Sequence, residues 1–141
     1  MDKGSILRVW VPLLAGLWVL RWIYLYGRGP HDDLRAIGLC VGLFGLAGVI
    51  VARYTLGRSF SVGAKATALV TSGIYSRIRN PIYVFSSMFV AGVFLMLRIP
   101  YLWLLLAGIV TMQIIRARRE ARVLEAAFGD AYREYRRGTW F

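Results

Sequence analysis

Acidic residues are scarce in this 141-residue chain, and its central region has none. The sequence holds 7 Asp and Glu against 18 Lys and Arg, which gives a formal net charge of +11. No carboxylate occurs between Leu34 and Arg119. A carboxylate-rich metal cluster is therefore not expected, because Ca²⁺ and Mg²⁺ take oxygen ligands. Any central site that needs an acid must take it from the C-terminal part of the chain.

Cysteine and histidine are also nearly absent. The single cysteine, Cys40, excludes an intrachain disulfide, and its place in an apolar stretch predicts a buried thiol on a membrane helix. One cysteine and one histidine, His31, do not make a structural zinc site. The glycine-rich fingerprint that follows a strand in soluble dinucleotide-binding folds is missing too. We expect no metal and no fold of that soluble type.

Apolar residues, in contrast, are abundant. The chain is 58% hydrophobic, with a mean hydropathy of +0.57, against about 45–50% apolar residues in soluble domains. One soluble domain of this length could not bury so much apolar surface, so a bilayer is the expected solvent. The positive charges stand at the ends of apolar segments, which is typical of membrane proteins and argues against a nucleic-acid partner.

Four apolar segments predict an all-α, polytopic membrane protein with about four transmembrane helices. They cover residues 6–26, 34–54, 82–97 and 101–115. The first two are long enough to cross a hydrocarbon core of about 30 Å, whereas the last two, at roughly 15 residues each, are short. Gly38 and Gly42 form a G-x-x-x-G pattern that predicts close helix contact.

The charged C-terminal region predicts an amphipathic helix on the membrane surface. We expect the fourth segment to continue past Arg116 as one helix and to end or bend at Gly129. The chain then forms one membrane domain, 1–141, with two N-terminal helices in 1–54 and a functional core in 55–137. Four crossings place both termini and the polar connection 55–81 on the arginine-rich side. That side is cytoplasmic by the positive-inside rule, which predicts an integral protein of the inner or cytoplasmic membrane.

The stretch "RNPIY" stands at the start of the third apolar segment. Asn80 fits a helix N-cap, Pro81 fits the first helical position, and Tyr83 fits a ring at the membrane interface. Arg116 and Glu120 lie four residues apart and would form an ion pair on one helix face. Taken singly, these patterns are compatible with purely structural roles.

Taken in order, the patterns resemble a known family. "LVTSGIY" (69–75), "RNPIY" (79–83), R-x-x-x-E (116–120) and "FGDAYREY" (128–135) are similar in order and spacing to motifs of the isoprenylcysteine carboxyl methyltransferases and their phospholipid methyltransferase relatives. The resemblance covers about residues 56–137. Two positions depart from it: Asn80 stands where many members have histidine, and Ala121 replaces the second of two glutamates.

The resemblance implies an integral membrane enzyme that uses S-adenosylmethionine to methylate a lipophilic, membrane-embedded acceptor. Arg116, Asn80 and Tyr83 are the catalytic residues that it implies, with Arg116 facing the substrate. The cofactor-binding residues carried over by position are Leu69, Val70, Tyr75, Asn80, Pro81, Ile82, Tyr83 and Glu120. The acceptor is left open between a prenylated thiol-carboxylate and a phospholipid amine.

Two further functions are kept as alternatives. A sterol-type membrane reductase shares a similar C-terminal cofactor region, but it would need more helices and a nicotinamide site. A non-catalytic membrane scaffold predicts that Asn80, Tyr83 and Glu120 tolerate alanine without loss of ligand binding. The expected partners are a lipophilic substrate and membrane lipids, and the sequence indicates no particular oligomeric state.

Overall fold

The computed structural model describes residues 3–27, 29–59 and 69–141, and this part of the chain is all-α. A short 3₁₀ helix, Gly73–Ser76, precedes the third helix. The described residues form five α-helices: α1 (Lys3–Tyr26), α2 (Asp33–Ser59), α3 (Pro81–Leu97), α4 (Leu102–Phe128) and α5 (Asp130–Arg137). The predicted all-α class is confirmed, and α4 does continue past Arg116 as one helix.

Local signals set the helix boundaries. Asp32 Oδ1 accepts a hydrogen bond from Arg35 N at 3.2 Å, which is the geometry of an N-cap for α2. Pro81 is the first residue of α3, where its missing N–H costs nothing. Gly129 ends α4 with φ of 51°, a left-handed value that glycine adopts without strain. α2 runs to Ser59, and residues 60–68 of the predicted polar connection lie outside the described residues.

α2 occupies the centre of the bundle, with α1 and α3 packed against it and α4 packed on α3. The predicted close approach at Gly38 and Gly42 is confirmed, and the partners belong to the same chain. A Cβ on Gly42 would lie 2.8 Å from Leu20 Cδ2 of α1, whereas Gly38 faces α3. A Cβ on Gly38 would lie 2.9 Å from Gly92 O and 2.8 Å from Met96 Cγ. Larger residues would therefore push α2 and α3 apart.

The buried apolar core lies where α1, α2 and α3 meet. It consists of Leu20, Ile23, Leu46 and Met96. Cys40, one residue beyond Leu39, lies on the exposed face of α2, so the prediction of a buried thiol is wrong. A uniformly apolar segment has no stripe that tells the packed face from the outward face, which is the reason for this error.

One helix in the described part of the chain, Asp33–Leu56, is long and apolar enough to cross a membrane. Trp10–Tyr26 and Pro81–Leu97 are shorter apolar helices, and α4 is free of charged residues only before Arg116. The structure thus confirms one of the four predicted crossings as a clear candidate. Large apolar side chains face outward on several helices, such as Trp18 at 65% and Leu104 at 77% exposure. Contiguous exposed apolar surface of this kind indicates contact with lipid or another protein.

Candidate active site

The candidate site lies where α3 begins. Pro81 is fully buried there, and Asn80 occupies the predicted N-cap position. The side chain of Asn80 makes no capping bond to its own helix. Asn80 instead donates from its main-chain N (3.1 Å) and from Nδ2 (3.3 Å) to the main-chain oxygen of Phe141. The N-cap prediction is therefore right for the position and wrong for the partner of the side chain.

The last residues of the sequence lie alongside the residues that lead into α3. Trp140 N donates to Arg77 O at 2.8 Å, and Arg79 N donates to Trp140 O at 3.1 Å. Ile78 and Trp140 form an isolated parallel bridge. This pairing makes residues 140–141 part of the wall around Asn80. Sequence reasoning missed it, since a backbone pairing across some 60 residues leaves no local signal.

Tyr83, Glu120 and Arg116 meet across the α3–α4 seam. The hydroxyl of Tyr83 donates to Glu120 Oε1 at 2.7 Å, and Arg116 Nε lies 3.7 Å from the same oxygen. The side chains of Arg116 and Glu120 are 74% and 49% exposed. The acid that the central region lacks is thus supplied by the charged half of α4. We call Tyr83 and Glu120 the Tyr–Glu corner.

Tyr75 lies close to the Tyr–Glu corner. Tyr75 belongs to the 3₁₀ helix, and its side chain is buried. Its main-chain oxygen accepts a hydrogen bond from Tyr135 Oη at 2.7 Å. Burial raises the pKa of Tyr75 to about 12, with smaller contributions from Tyr135, Glu120 and Tyr83. The phenol of Tyr75 is therefore neutral near pH 7 and offers a hydrogen-bond donor and an aromatic face.

Arg79 is half-buried, unlike its exposed neighbour Arg77. Its Nε is buried and has no hydrogen-bond partner within the described residues. The guanidinium lies near Tyr135, where it opposes the rise in the pKa of Tyr135 that burial and Tyr132 cause. Both arginines lie in the predicted polar connection 55–81, and only the depth of burial separates them. A buried donor without a partner is the feature that a ligand or water satisfies.

A polar ladder continues from the Tyr–Glu corner into the apolar part of the seam. Ser86 Oγ donates to Tyr83 O at 3.1 Å and accepts from Gln113 Nε2 at 3.2 Å. Ser87 Oγ donates to Gln113 Oε1 at 2.8 Å. The sequence signal for this ladder was the presence of Ser86, Ser87 and Gln113 in otherwise apolar segments, and sequence reasoning missed it.

A cleft of about 450 Å³ opens between the 3₁₀ region and α5. Leu69 lines it, together with Thr71, Glu134 and Tyr135, whereas Asn80, Tyr83 and Glu120 are not among its lining residues. Tyr135 connects the cleft to Tyr75, because Tyr135 Oη donates a hydrogen bond to Tyr75 O. Among the other predicted site residues, Val70 and Ile82 are half-buried.

The family whose model matches this chain is described as phospholipid methyltransferase, and the match covers residues 34–131. The chain belongs to the phospholipid methyltransferase family. The match extends from α2 into α5, so it includes the Tyr–Glu corner, Arg116 and most of the stretch that carried the sequence resemblance. Membership of this family assigns the chain to the broad class of membrane methyltransferases. No curated protein matches the chain.

Among the residues that the structure describes, no group of three or more His, Cys, Asp or Glu side chains lies close enough together to hold a metal ion.

Proposed function

We propose that this chain transfers the methyl group of S-adenosylmethionine to a lipophilic acceptor drawn from the bilayer. The observation that carries the proposal is the 2.7 Å hydrogen bond from Tyr83 Oη to Glu120 Oε1. It joins two elements that are far apart in the sequence, the start of α3 and the charged half of α4. Both residues were implied as site residues by the family resemblance alone.

The groups around the corner fit the chemistry of the proposed donor. S-Adenosylmethionine combines a sulfonium cation, an amino-acid head and an adenosine. The rings of Tyr75 and Tyr83 offer faces that favour a cation. The Glu120 carboxylate suits an ammonium group or ribose hydroxyls. When bound, this cofactor supplies an electrophilic methyl group on sulfur.

The side chains of this site hold and orient rather than titrate. Asn80 donates and accepts hydrogen bonds but does not change charge, and Tyr75 keeps its proton because its pKa is about 12. Glu120 is fixed by Tyr83 and Arg116, which keeps the carboxylate in one place. Rate enhancement then comes from alignment of the reacting groups.

Arg116 is the residue that we assign to the acceptor. Its side chain is 74% exposed beside Glu120, and its planar guanidinium matches a carboxylate or a phosphate through two parallel hydrogen bonds. A prenylated thiol-carboxylate would present its reacting carboxylate to Arg116. A phospholipid would present its phosphate, and its amine would be the methyl acceptor once the ammonium proton has been released to water. The family match to phospholipid methyltransferases supports the second acceptor, and the exposed arginine suits both.

We further propose that α1, α2, α3 and the first half of α4 all cross the membrane, with both termini in the cytoplasm. The outward-facing apolar side chains of α1, α2 and α4 support this arrangement. The Tyr–Glu corner then lies at the cytoplasmic interface. The cofactor arrives there from water, and the acceptor moves sideways out of the lipid. Residues 55–137 would form the catalytic core. The two N-terminal helices would determine which acceptor is selected.

The test is transfer of a labelled methyl group. The full chain, purified in detergent, is incubated with S-adenosylmethionine labelled in the methyl group and with a membrane lipid extract. We expect label in the organic phase. Release of the label as volatile methanol in mild base would identify a methyl ester, whereas label that stays on the non-volatile headgroup of a phospholipid would identify an N-methylated amine. No label above a heat-inactivated control would contradict the proposed function.

A further inference from the structure

A groove runs between α1 and α2 at the end of the bundle opposite the Tyr–Glu corner. It has a volume of about 540 Å³ and is lined by five leucines together with Arg21 and Tyr24. On α1 the lining follows positions 17, 21 and 25, which share one helix face and span roughly 12 Å. The groove is thus long, narrow and almost wholly apolar.

The floor of this groove is closed and its rim is open. Leu20 at the floor is 1% exposed, whereas Leu17 and Leu43 at the rim are 39% and 41% exposed. A groove of this shape, open along its side to the surroundings, suits an extended hydrocarbon chain.

Arg21 gives the groove its single formal charge. It is exposed and lies five residues before Tyr26, or roughly 7.5 Å from the end of α1. Across residues 3–27, 29–59 and 69–141 it forms no ion pair with an acidic side chain. A guanidinium at this depth in an apolar helix is costly unless it reaches an anion or the interface.

The other described arginines at this end of the bundle are engaged elsewhere. Arg35 donates to the main-chain oxygens of Tyr24 and Gly27, and Arg98 pairs with Asp32. Arg21 is therefore the described cation that faces the groove. The N–H donors of its planar guanidinium group fit the oxygens of a phosphate group.

We propose that this groove binds one anionic phospholipid. Arg21 holds the phosphate, and an acyl chain lies along the leucine floor between α1 and α2. A zwitterionic headgroup would also bring an ammonium group, for which the groove lining has no carboxylate. The bound lipid lies at the far end of the bundle from Glu120, so it is a resident lipid and not the methyl acceptor. This inference does not rest on the proposed function.

Native mass spectrometry of the full chain tests the proposal. The detergent-purified protein is titrated with phosphatidylglycerol and with phosphatidylcholine of the same acyl chains. We expect wild type to bind phosphatidylglycerol about tenfold more tightly. Both lipids offer a phosphate to Arg21, but phosphatidylcholine adds a quaternary ammonium that Arg21 repels and that no carboxylate of the lining can pair. Arg21→Gln should remove this preference. Arg53→Gln, which changes an exposed arginine of α2 outside the groove, should keep it.

A second variant separates the charge from the groove. Leu43→Trp adds bulk at the open rim and leaves Arg21 in place, so it should weaken binding of both lipids. Circular dichroism checks that each variant keeps its helix content. Equal affinity of wild type for the two lipids would overturn the proposal. Equal losses in Arg21→Gln and Arg53→Gln would overturn it as well, because they would indicate general attraction to the protein's positive charge.

Discussion

Arginine is used differently at the two ends of the bundle. Near the junction of α1 and α2, Arg35 is completely buried and its Nη2 donates to Gly27 O at 2.8 Å. At the other end, near the start of α3, the side chain of Arg116 on α4 is 74% exposed. Arg79 Nε is buried there and has no hydrogen-bond partner among the described residues. At the first end, Arg35 holds main-chain oxygens of Tyr24 and Gly27, so its contacts are those of a structural residue. At the second end, the side chains of Arg116 and Glu120 are exposed where a ligand can reach them, which is the arrangement expected of a site.

The comparison predicts that a change at the buried end acts on stability. Arg35→Met should lower the free energy of unfolding by about 3 kcal/mol, because Tyr24 O and Gly27 O lose charge-assisted hydrogen bonds. Thermal unfolding in detergent, followed by circular dichroism, measures this. Arg53→Met, at an exposed position on α2, is the matched control. An unchanged melting temperature for Arg35→Met would contradict the assigned role of Arg35.

A change at the Tyr–Glu corner should act on activity instead. Glu120→Gln keeps the size of the side chain and removes its charge, so methyl transfer should fall about 100-fold while the melting temperature stays the same. Glu125→Gln is the control on the same helix, since Glu125 pairs with Arg133 of α5. Full activity of Glu120→Gln would show that the corner is only a structural contact.

Loss of the Tyr83 hydroxyl should have a smaller effect. Tyr83→Phe keeps the aromatic face and removes the donor that fixes Glu120, so activity should fall about tenfold. Tyr101→Phe, at the opposite end of the α3–α4 seam, should leave the rate of labelled methyl transfer unchanged. A Tyr83→Phe rate equal to that of wild type would mean that Glu120 is positioned without this hydrogen bond.

The smallest effect is expected at the exposed pair of Asp32 and Arg98. The hydrogen bond from Arg98 lowers the pKa of Asp32 below its usual value of 3.8. A lowered folded-state pKa means that the pair stabilises the fold above about pH 4 and loses this contribution as the pH falls through the folded-state value. Asp32→Asn should therefore melt slightly lower than wild type at pH 7, and the difference should shrink in acid. A difference that is independent of pH would rule out the ion pair as its source.

The features that sequence could predict are those with local causes. Pro81 marks the start of α3 and Gly129 marks the end of α4, because each residue has a backbone preference that acts within one turn. The exposure of Cys40 was predicted wrongly, since apolar content alone does not say which helix face is packed. The contact between Asn80 and Phe141 was not predictable, because no pattern in either segment specifies the other.

Within the candidate site, sequence pattern identified the members but not their contacts. Tyr83 and Glu120 were named through the family resemblance, and the structure adds that they share a hydrogen bond. Arg77 and Arg79 look alike in sequence, and only three-dimensional burial shows that Arg79 differs. Their different environments follow from where the C-terminal residues fold back, which is a tertiary effect.

The central claim is that the Tyr–Glu corner binds the methyl donor, and calorimetry tests it most directly. Purified wild type, Glu120→Gln and Glu125→Gln are each titrated with S-adenosylmethionine and with its demethylated product. We predict binding to wild type and to Glu125→Gln, with affinity at least tenfold weaker in Glu120→Gln, as expected when a charged hydrogen-bond partner is lost. Equal affinity in all three proteins, or no binding to wild type, would contradict the account.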